Sequence, residues 1–261
     1  MKQFIKKKRM LQKYKNNKNN SPSDICLSLV RYIENYINEN SSIKKMFLKI
    51  QKFNKIPIKV LRQKGYQIIF NDFNFKKNKF EGYEILYLFV DLLKYYLISL
   101  INIICQKKYY LKKKKYNLIC DNVFSQIDVD RYSGLIRIFK KVCLIGKYTN
   151  NKKIESEDYL KYKLFNIGIS NFSLKKKFFF LKFGLDIFYY SIIDRTNYFR
   201  IFSLLIYDIL KSNHIFSRVR SKYYFTNKFY GTSPIFNYYF KKAGGLKSSC
   251  YQKNILAYSL S

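Results

Sequence analysis

The sequence predicts an α+β fold, because helical and strand-like apolar patterns alternate along a chain that is rich enough in hydrophobic residues to form a core. Hydrophobic residues make up 48% of the 261 residues, and aromatic residues make up 19%. A disordered basic tail contains far fewer of both. The first part of the chain has the pattern helix, connector, helix, strand. A chain of this length can form one large domain or two modest ones.

The first predicted helix begins at residues 21–24, Ser-Pro-Ser-Asp. Serine can cap a helix, proline suits its first position, and an acidic residue in the first turn favours the positive end of the helix dipole. Apolar residues then recur every four positions: Ile25, Leu29, Ile33 and Ile37. A second helix is predicted from Asn54 to Gln63, with Gly65 as its terminating residue, and a strand from Tyr66 to Phe70.

Four further segments complete the secondary-structure prediction. Ile43 to Ile50 is a strand or a connector. Ile127 to Val142 has the alternation of two strands around a turn at Ser133-Gly134. Tyr198 to Leu210 has apolar residues at helical spacing. Asn254 to Ser261 has the composition of an edge strand.

The net charge is the strongest indication of a partner. The chain has 51 Lys and Arg residues against 16 Asp and Glu residues, which gives a formal charge of +35. Such a charge opposes a compact state and promotes binding to polyanions. RNA or DNA is the polyanion that can neutralise positive charge over a whole protein.

The sequence contains no set of residues that predicts an enzyme. His214 is the single histidine, and the one acidic cluster, at residues 155–158, has the composition of a solvated loop. No phosphate-binding glycine loop, nucleophile motif or zinc motif occurs. The five cysteines are widely spaced, which disfavours a zinc site and disulfides. We therefore predict no catalysis, no metal, no cofactor and no small-molecule substrate.

Ile85 to Cys105 is apolar enough to resemble a transmembrane helix. Asp91 and Lys94 lie inside it, and each costs about 3 kcal/mol in the centre of a bilayer. Because they are three residues apart, they could pair on one helix face. The charges favour a helix that is buried or covered by a partner. A membrane-associated structural subunit of an organellar complex is the alternative.

Composition also suggests where the protein is made. Lys, Asn, Ile, Tyr and Phe dominate the sequence, and these residues have codons rich in A and T. Such bias is typical of an organellar genome. Residues 1–9 lack the apolar stretch of a secretory signal. We expect a mitochondrial protein, with another organelle as the alternative, whose residues 1–20 form a basic tail that follows RNA.

Basic residues are interleaved with aromatic and small polar residues in several segments, including 107–110, 218–222 and 222–228. Lysine and arginine neutralise phosphates, while tyrosine can stack on unpaired bases. The distribution of these segments over the chain favours RNA over a DNA operator. Arg218, Arg220 and Lys222 are therefore candidate phosphate contacts.

Several segments resemble, in order, one protein family. Residues 52–70, KFNKIPIKVLRQKGYQIIF, resemble the second helix and following strand of the small-subunit ribosomal protein eight family. Residues 24–35 are similar to its first helix, and residues 131–139 to its Arg…Pro-Gly-Leu-Arg-x-Tyr segment. Gly231-Thr232-Ser233 resembles its Ser-Thr-Ser-x-Gly loop, and residues 255–258 its closing strand.

The resemblance implies two small α/β domains with a basic N-terminal tail and inserted helical or irregular segments. The first domain would span 21–125 with an insertion at about 75–120, and the second 126–261 with an insertion at about 145–225. The function implied is that of a structural constituent of the small ribosomal subunit. Such a protein binds the central domain of the small-subunit rRNA beside neighbouring ribosomal proteins.

The resemblance also adds residues to the candidate RNA-binding site. Thr232 and Ser233 would contact the rRNA backbone or base edges, and Lys241 and Lys242 would follow on a short helix. Arg131 and Arg137 would neutralise phosphates. Residues 233–249 are in addition similar to the end of small-subunit ribosomal protein fourteen, so a different protein of the same particle is an alternative.

Overall fold

The computed structural model describes residues 22–71, 84–104, 113–121, 126–139, 141–145, 164–165, 168–226 and 234–250. The helices are α1 (Pro22–Glu39), α2 (Ser41–Asn54), α3 (Ile58–Asn71), α4 (Glu84–Ile104), α5 (Gln126–Ile138), α6 (Leu174–Ile193), α7 (Phe199–Phe216) and α8 (Pro234–Lys242). The strands are β1 (Lys114–Asp121), β2 (Val142–Ile145), β3 (Leu164–Phe165), β4 (Val219–Thr226) and β5 (Lys247–Cys250). The coarse prediction of a mixed α+β fold is confirmed.

The strands form one sheet in the order β3-β2-β1-β4-β5, and every described pair is parallel. β1 is central and pairs with β4 over most of its length, from Lys114 opposite Val219 to Asp121 opposite Thr226. Parallel neighbours need a connection that returns to the opposite edge of the sheet. Helix α5 makes this return between β1 and β2, and α8 makes it between β4 and β5.

The N-terminal helix was predicted correctly, and the segment after it was not. The Asn40 side chain caps α2 by accepting a hydrogen bond from the Ile43 backbone N–H at 2.9 Å. This cap allows a second helix to begin directly after α1. Residues 43–50 are therefore helical, with Ile43, Met46 and Ile50 buried on one face.

The strand predicted at residues 66–70 is wrong, because α3 continues through it. Leu61 and Ile68 are buried at helical spacing, and Gly65 lies between them on the same face. A Cβ atom at Gly65 would come 2.8 Å from Cζ of Phe47. The glycine therefore permits close packing of α3 on α2 and does not end the helix.

The two strands predicted between residues 127 and 142 are also wrong. Helix α5 covers most of this segment, and β2 begins at Val142. Tyr132 and Ile136 are buried against β1 and β2, one helical turn apart. The glycine at position 134 faces open space, so it interrupts nothing.

Helices cover both faces of the sheet. Helix α5 packs on one face in a cluster with Leu118, Cys120, Val142 and Leu144. The larger cluster, on the other face, includes Ile119 and Tyr224 together with side chains of α7 and α8. Two faces covered by helices are what a parallel sheet requires.

Helix α7 is the centre of the larger cluster, and its prediction is confirmed. Phe202, Leu205, Ile206 and Ile209 are at most 1% exposed. The Phe202 ring lies 5.3 Å from that of Phe47 on α2. The same hydrophobic cluster extends from α1 to α8. The two ranges that the resemblance implies to be insertions, about 75–120 and 145–225, contain most of β1, all of α7 and most of β4. These elements belong to the core. The edge strand predicted at 254–261 and the basic tail at 1–20 lie outside the described residues.

Candidate nucleic-acid interface

The amino ends of the strands gather basic side chains at one edge of the sheet. Lys115 on β1 is the register partner of Arg220 on β4. The Lys114 backbone N–H donates to the Arg218 carbonyl oxygen at 3.1 Å, so Lys114 lies beside Arg218. On the other side of β4, Leu246 donates its N–H to the Lys222 carbonyl at 2.9 Å. Basic residues far apart in sequence therefore become neighbours.

The connecting helices bring further cations to the same edge. Because α5 and α8 run back from the carboxyl ends of the strands, their last turns lie near the amino ends. Arg137 is in the last turn of α5, and Lys241 and Lys242 are in the last turn of α8. Gly244, with a φ of 89°, follows α8 as it ends, and β5 begins at Lys247.

We call this region the amino-edge surface. Its basic residues, all exposed, are Lys114, Lys115, Arg137, Lys141, Arg218, Arg220, Lys222, Lys241, Lys242 and Lys247. Lys114 Nζ also lies 5.8 Å from the centroid of the Tyr116 ring, and Lys242 Nζ lies 5.5 Å from that of Tyr238. Clustered lysine and arginine with adjacent aromatic rings are suited to a phosphate backbone with unpaired bases.

The acidic side chains that form salt bridges join helices and do not belong to the amino-edge surface. Asp186 pairs with Lys49 at 2.6 Å and Asp208 pairs with Lys64 at 3.1 Å, both between helices. The sequence has no Asp or Glu between residues 209 and 261. The segment that contains β4, α8 and β5 therefore adds positive charge and no acidic residue of its own to the amino-edge surface, which favours a positive potential that attracts polyanions.

The carboxyl edge of the sheet has a different character. The Tyr224 hydroxyl donates to Asp121 Oδ2 at 2.7 Å, and the Tyr132 hydroxyl donates to the Asp121 carbonyl at 2.7 Å. Burial raises the pKa of the Tyr224 hydroxyl, and the neighbouring Asp121 carboxylate adds to the effect. These contacts fix the ends of β1 and β4 against α5. Within the described residues, no group of three His, Cys, Asp or Glu side chains is arranged to hold a metal ion.

The structure brings together most of the residues predicted to bind RNA. Arg218, Arg220 and Lys222 lie at the start of β4, while Arg137, Lys241 and Lys242 lie at the helix ends described above. The backbone of Arg131 is in α5, and its side chain is outside the described part of the chain. Thr232 and Ser233 also lie outside the described residues, between β4 and α8 in sequence.

Sequence reasoning missed Lys114, Lys115, Lys141 and Lys247. No strand was predicted at the lysine run of residues 112–115, whereas β1 begins at Lys114. The signal that could have identified β1 is the short apolar run at 118–120, which is separated from the lysine run by two residues.

A second surface is apolar. Among the described residues, one helical segment, Ile85–Ile104, is long and apolar enough to cross a membrane. Of its most apolar stretch of 18 residues, 17% are buried. Its inner face is fixed to α6 by the Tyr95 hydroxyl, which donates to the Phe180 carbonyl at 2.6 Å, and by Tyr96, which donates to the Leu181 carbonyl at 2.8 Å. The side chain of Asp91 accepts a hydrogen bond from Asn197.

Comparison with known proteins finds no protein-family model, no curated protein and no solved structure that matches this chain.

Proposed function

We propose that this protein is a non-catalytic RNA-binding structural component of a ribonucleoprotein particle. The observation that supports the proposal is the amino-edge surface, where cations from β1, β4, β5, α5 and α8 converge. Each phosphate contact releases a condensed counterion, so a surface of this kind binds RNA strongly at low salt. The exposed cations would lie along the phosphates, and nearby tyrosines would contact bases.

The specific particle that we propose is the small ribosomal subunit of a mitochondrion. The support is the A- and T-rich codon bias and the resemblance of separate segments to the small-subunit ribosomal protein eight family. In this proposal the chain binds the central domain of the small-subunit rRNA and contacts neighbouring ribosomal proteins. Thr232 and Ser233 would contact rRNA in addition to the amino-edge surface.

The domain division is a proposal as well. We propose that residues 126–261 are the main RNA-binding part and that residues 21–125 support it. The amino-edge surface includes Lys114 and Lys115 from the first of these ranges, so RNA would contact both.

A membrane-associated structural subunit is the second candidate, and the exposed apolar face of α4 favours it. Leu86, Leu93, Leu97 and Ile101 are each more than half exposed. In the ribonucleoprotein proposal these side chains are covered by a neighbouring protein. The hydrogen bonds from Tyr95 and Tyr96 to α6 favour a helix that stays docked on its own protein.

Fractionation of the organelle separates the two candidates. We expect the chain to cosediment with small ribosomal subunits and to leave the membrane fraction after ribonuclease and high salt, because RNA contacts hold it. Retention of the chain in the membrane pellet after alkaline carbonate, with none in the ribosomal fractions, would contradict the proposal and support a membrane subunit.

A further inference from the structure

A lysine whose ammonium group is hydrogen-bonded to an uncharged amide lies beside the amino-edge surface. Lys176, in the first turn of α6, donates from Nζ to Asn213 Oδ1 on α7 at 2.9 Å. The Asn213 side chain donates in turn to the Tyr239 hydroxyl at 3.3 Å, and that hydroxyl donates to the Asn54 carbonyl at 3.3 Å. This chain of hydrogen bonds joins α6, α7, α8 and α2, so it fixes the position of the lysine.

The end of α7 lies beside the start of α6: the His214 ring is 6.1 Å from the ring of Phe172, which precedes α6, and Arg218 follows α7. Burial lowers the pKa of the Lys176 ammonium group to about 8, and the positive charge of Arg218 adds to the effect. Burial lowers the pKa of His214 to about 4, with further contributions from Lys176 and Arg218. No carboxylate in the described part of the chain forms an ion pair with Lys176.

A phosphate group suits the hydrogen-bond donors of this cluster. It is a dianion or monoanion with several acceptor oxygens, and lysine and arginine bind such groups through charge-assisted hydrogen bonds. The neutral imidazole of His214 has one N–H donor. Arg218 also belongs to the amino-edge surface, so a phosphate bound here would continue the path of a backbone that lies along that surface.

We infer that Lys176, His214 and Arg218 form a binding site for a single phosphate group of the RNA. The inference deepens the proposed function and rests on it. Asn213 acts through Lys176, as a positioning residue. The site fixes one point of the RNA, while the exposed cations of the amino-edge surface contribute attraction that depends less on geometry.

The variant Lys176→Gln tests the site, because glutamine keeps a donor for Asn213 and removes the charge. We expect RNA affinity to fall about 10-fold or more, as for a lost hydrogen bond to a charged group, and the slope of log affinity against log salt to decrease by about one. Lys182→Gln is the matched control, since Lys182 is exposed on the same helix. It should change affinity less than about twofold.

Two further measurements keep the test decisive. Lys176→Arg should retain affinity within about threefold, since it preserves the charge. The Nζ resonance of Lys176, followed by NMR in the intact protein, should show a pKa that rises when RNA binds. Equal affinities for Lys176→Gln and Lys182→Gln, with an unchanged Lys176 pKa, would overturn the site.

The source of the phosphate is tested separately. If inorganic phosphate raises the Lys176 pKa but RNA leaves that pKa unchanged, the site binds free phosphate. This result would overturn the RNA assignment. RNA binding that survives both Lys176→Gln and the combined replacement of Lys115, Arg220 and Lys222 would instead reject the amino-edge surface as the RNA site. Failure of the unaltered protein to bind small-subunit rRNA would reject the proposed function itself.

Discussion

Replacing Lys115, Arg220 and Lys222 together with glutamine is expected to weaken RNA binding on the order of 100-fold near physiological salt. The first two residues are register partners on adjacent strands, and the third follows on β4. Each removed phosphate contact should lower the salt slope by about one unit. The measurement is the dissociation constant for a structured small-subunit rRNA fragment over a series of salt concentrations.

A charge-matched control separates the amino-edge surface from net charge. Lys44 and Lys45 on α2 and Lys182 on α6 are exposed, on helices that pack chiefly on other helices. Their combined replacement by glutamine lowers the net charge equally. We expect a change in affinity of less than about fivefold, from the general loss of attraction. Equal weakening by the two triple variants would mean that the charge acts without a defined surface.

Phe202→Ala is expected to lower the free energy of unfolding by about 3–5 kcal/mol, because it removes a large buried ring and leaves a cavity. Phe202 is 1% exposed and packs near rings of α2, of α6 and of the residue that precedes α7. Its centroid lies 5.3 Å from Phe47, 6.3 Å from Phe183 and 6.1 Å from Tyr198. Urea unfolding followed by circular dichroism measures the change.

Leu204→Ala is the control for this variant. Leu204 is on the same helix and 54% exposed, so its truncation should cost less than about 1 kcal/mol. Because the cluster around Phe202 joins α2 to α6 and α7, a single unfolding transition should shift as a whole. Two separate transitions, of which the variant shifts only one, would contradict the account of a core shared by α1–α4 and α6–α8.

The sequence pattern predicted the long amphipathic helices because their signal is local. α1 and α7 have apolar residues at helical spacing over several turns. Two of the errors occurred where a glycine was interpreted as the end or the turn of an element. Gly65 serves close packing against Phe47, and position 134 is simply an exposed helical residue. Both facts depend on neighbours from other parts of the chain, so no local pattern could show them.

The candidate site was predicted by residue type and not by arrangement. Local composition indicated Arg218 and Lys222 as phosphate contacts, and the resemblance added Arg137 and Lys241. Nothing local shows that these residues share one edge. Their proximity comes from the parallel pairing of β1 with β4, strands that are about a hundred residues apart in sequence. Such non-local pairing has no periodic signal. The role of Lys176 was missed for the same reason. Its neighbours Asn213 and Arg218 come from α7 and from the residue that precedes β4.

The most direct test of the central claim is a lysine footprint of the protein with and without small-subunit rRNA. Surface lysines are acetylated in both states, and the extent of modification at each site is read by peptide mass spectrometry. We expect RNA to protect Lys115, Lys222, Lys241 and Lys247 strongly, while Lys44 and Lys182 stay equally reactive. Protection that is uniform over both groups, or confined to Lys44 and Lys182, would contradict an RNA interface at the amino ends of the strands.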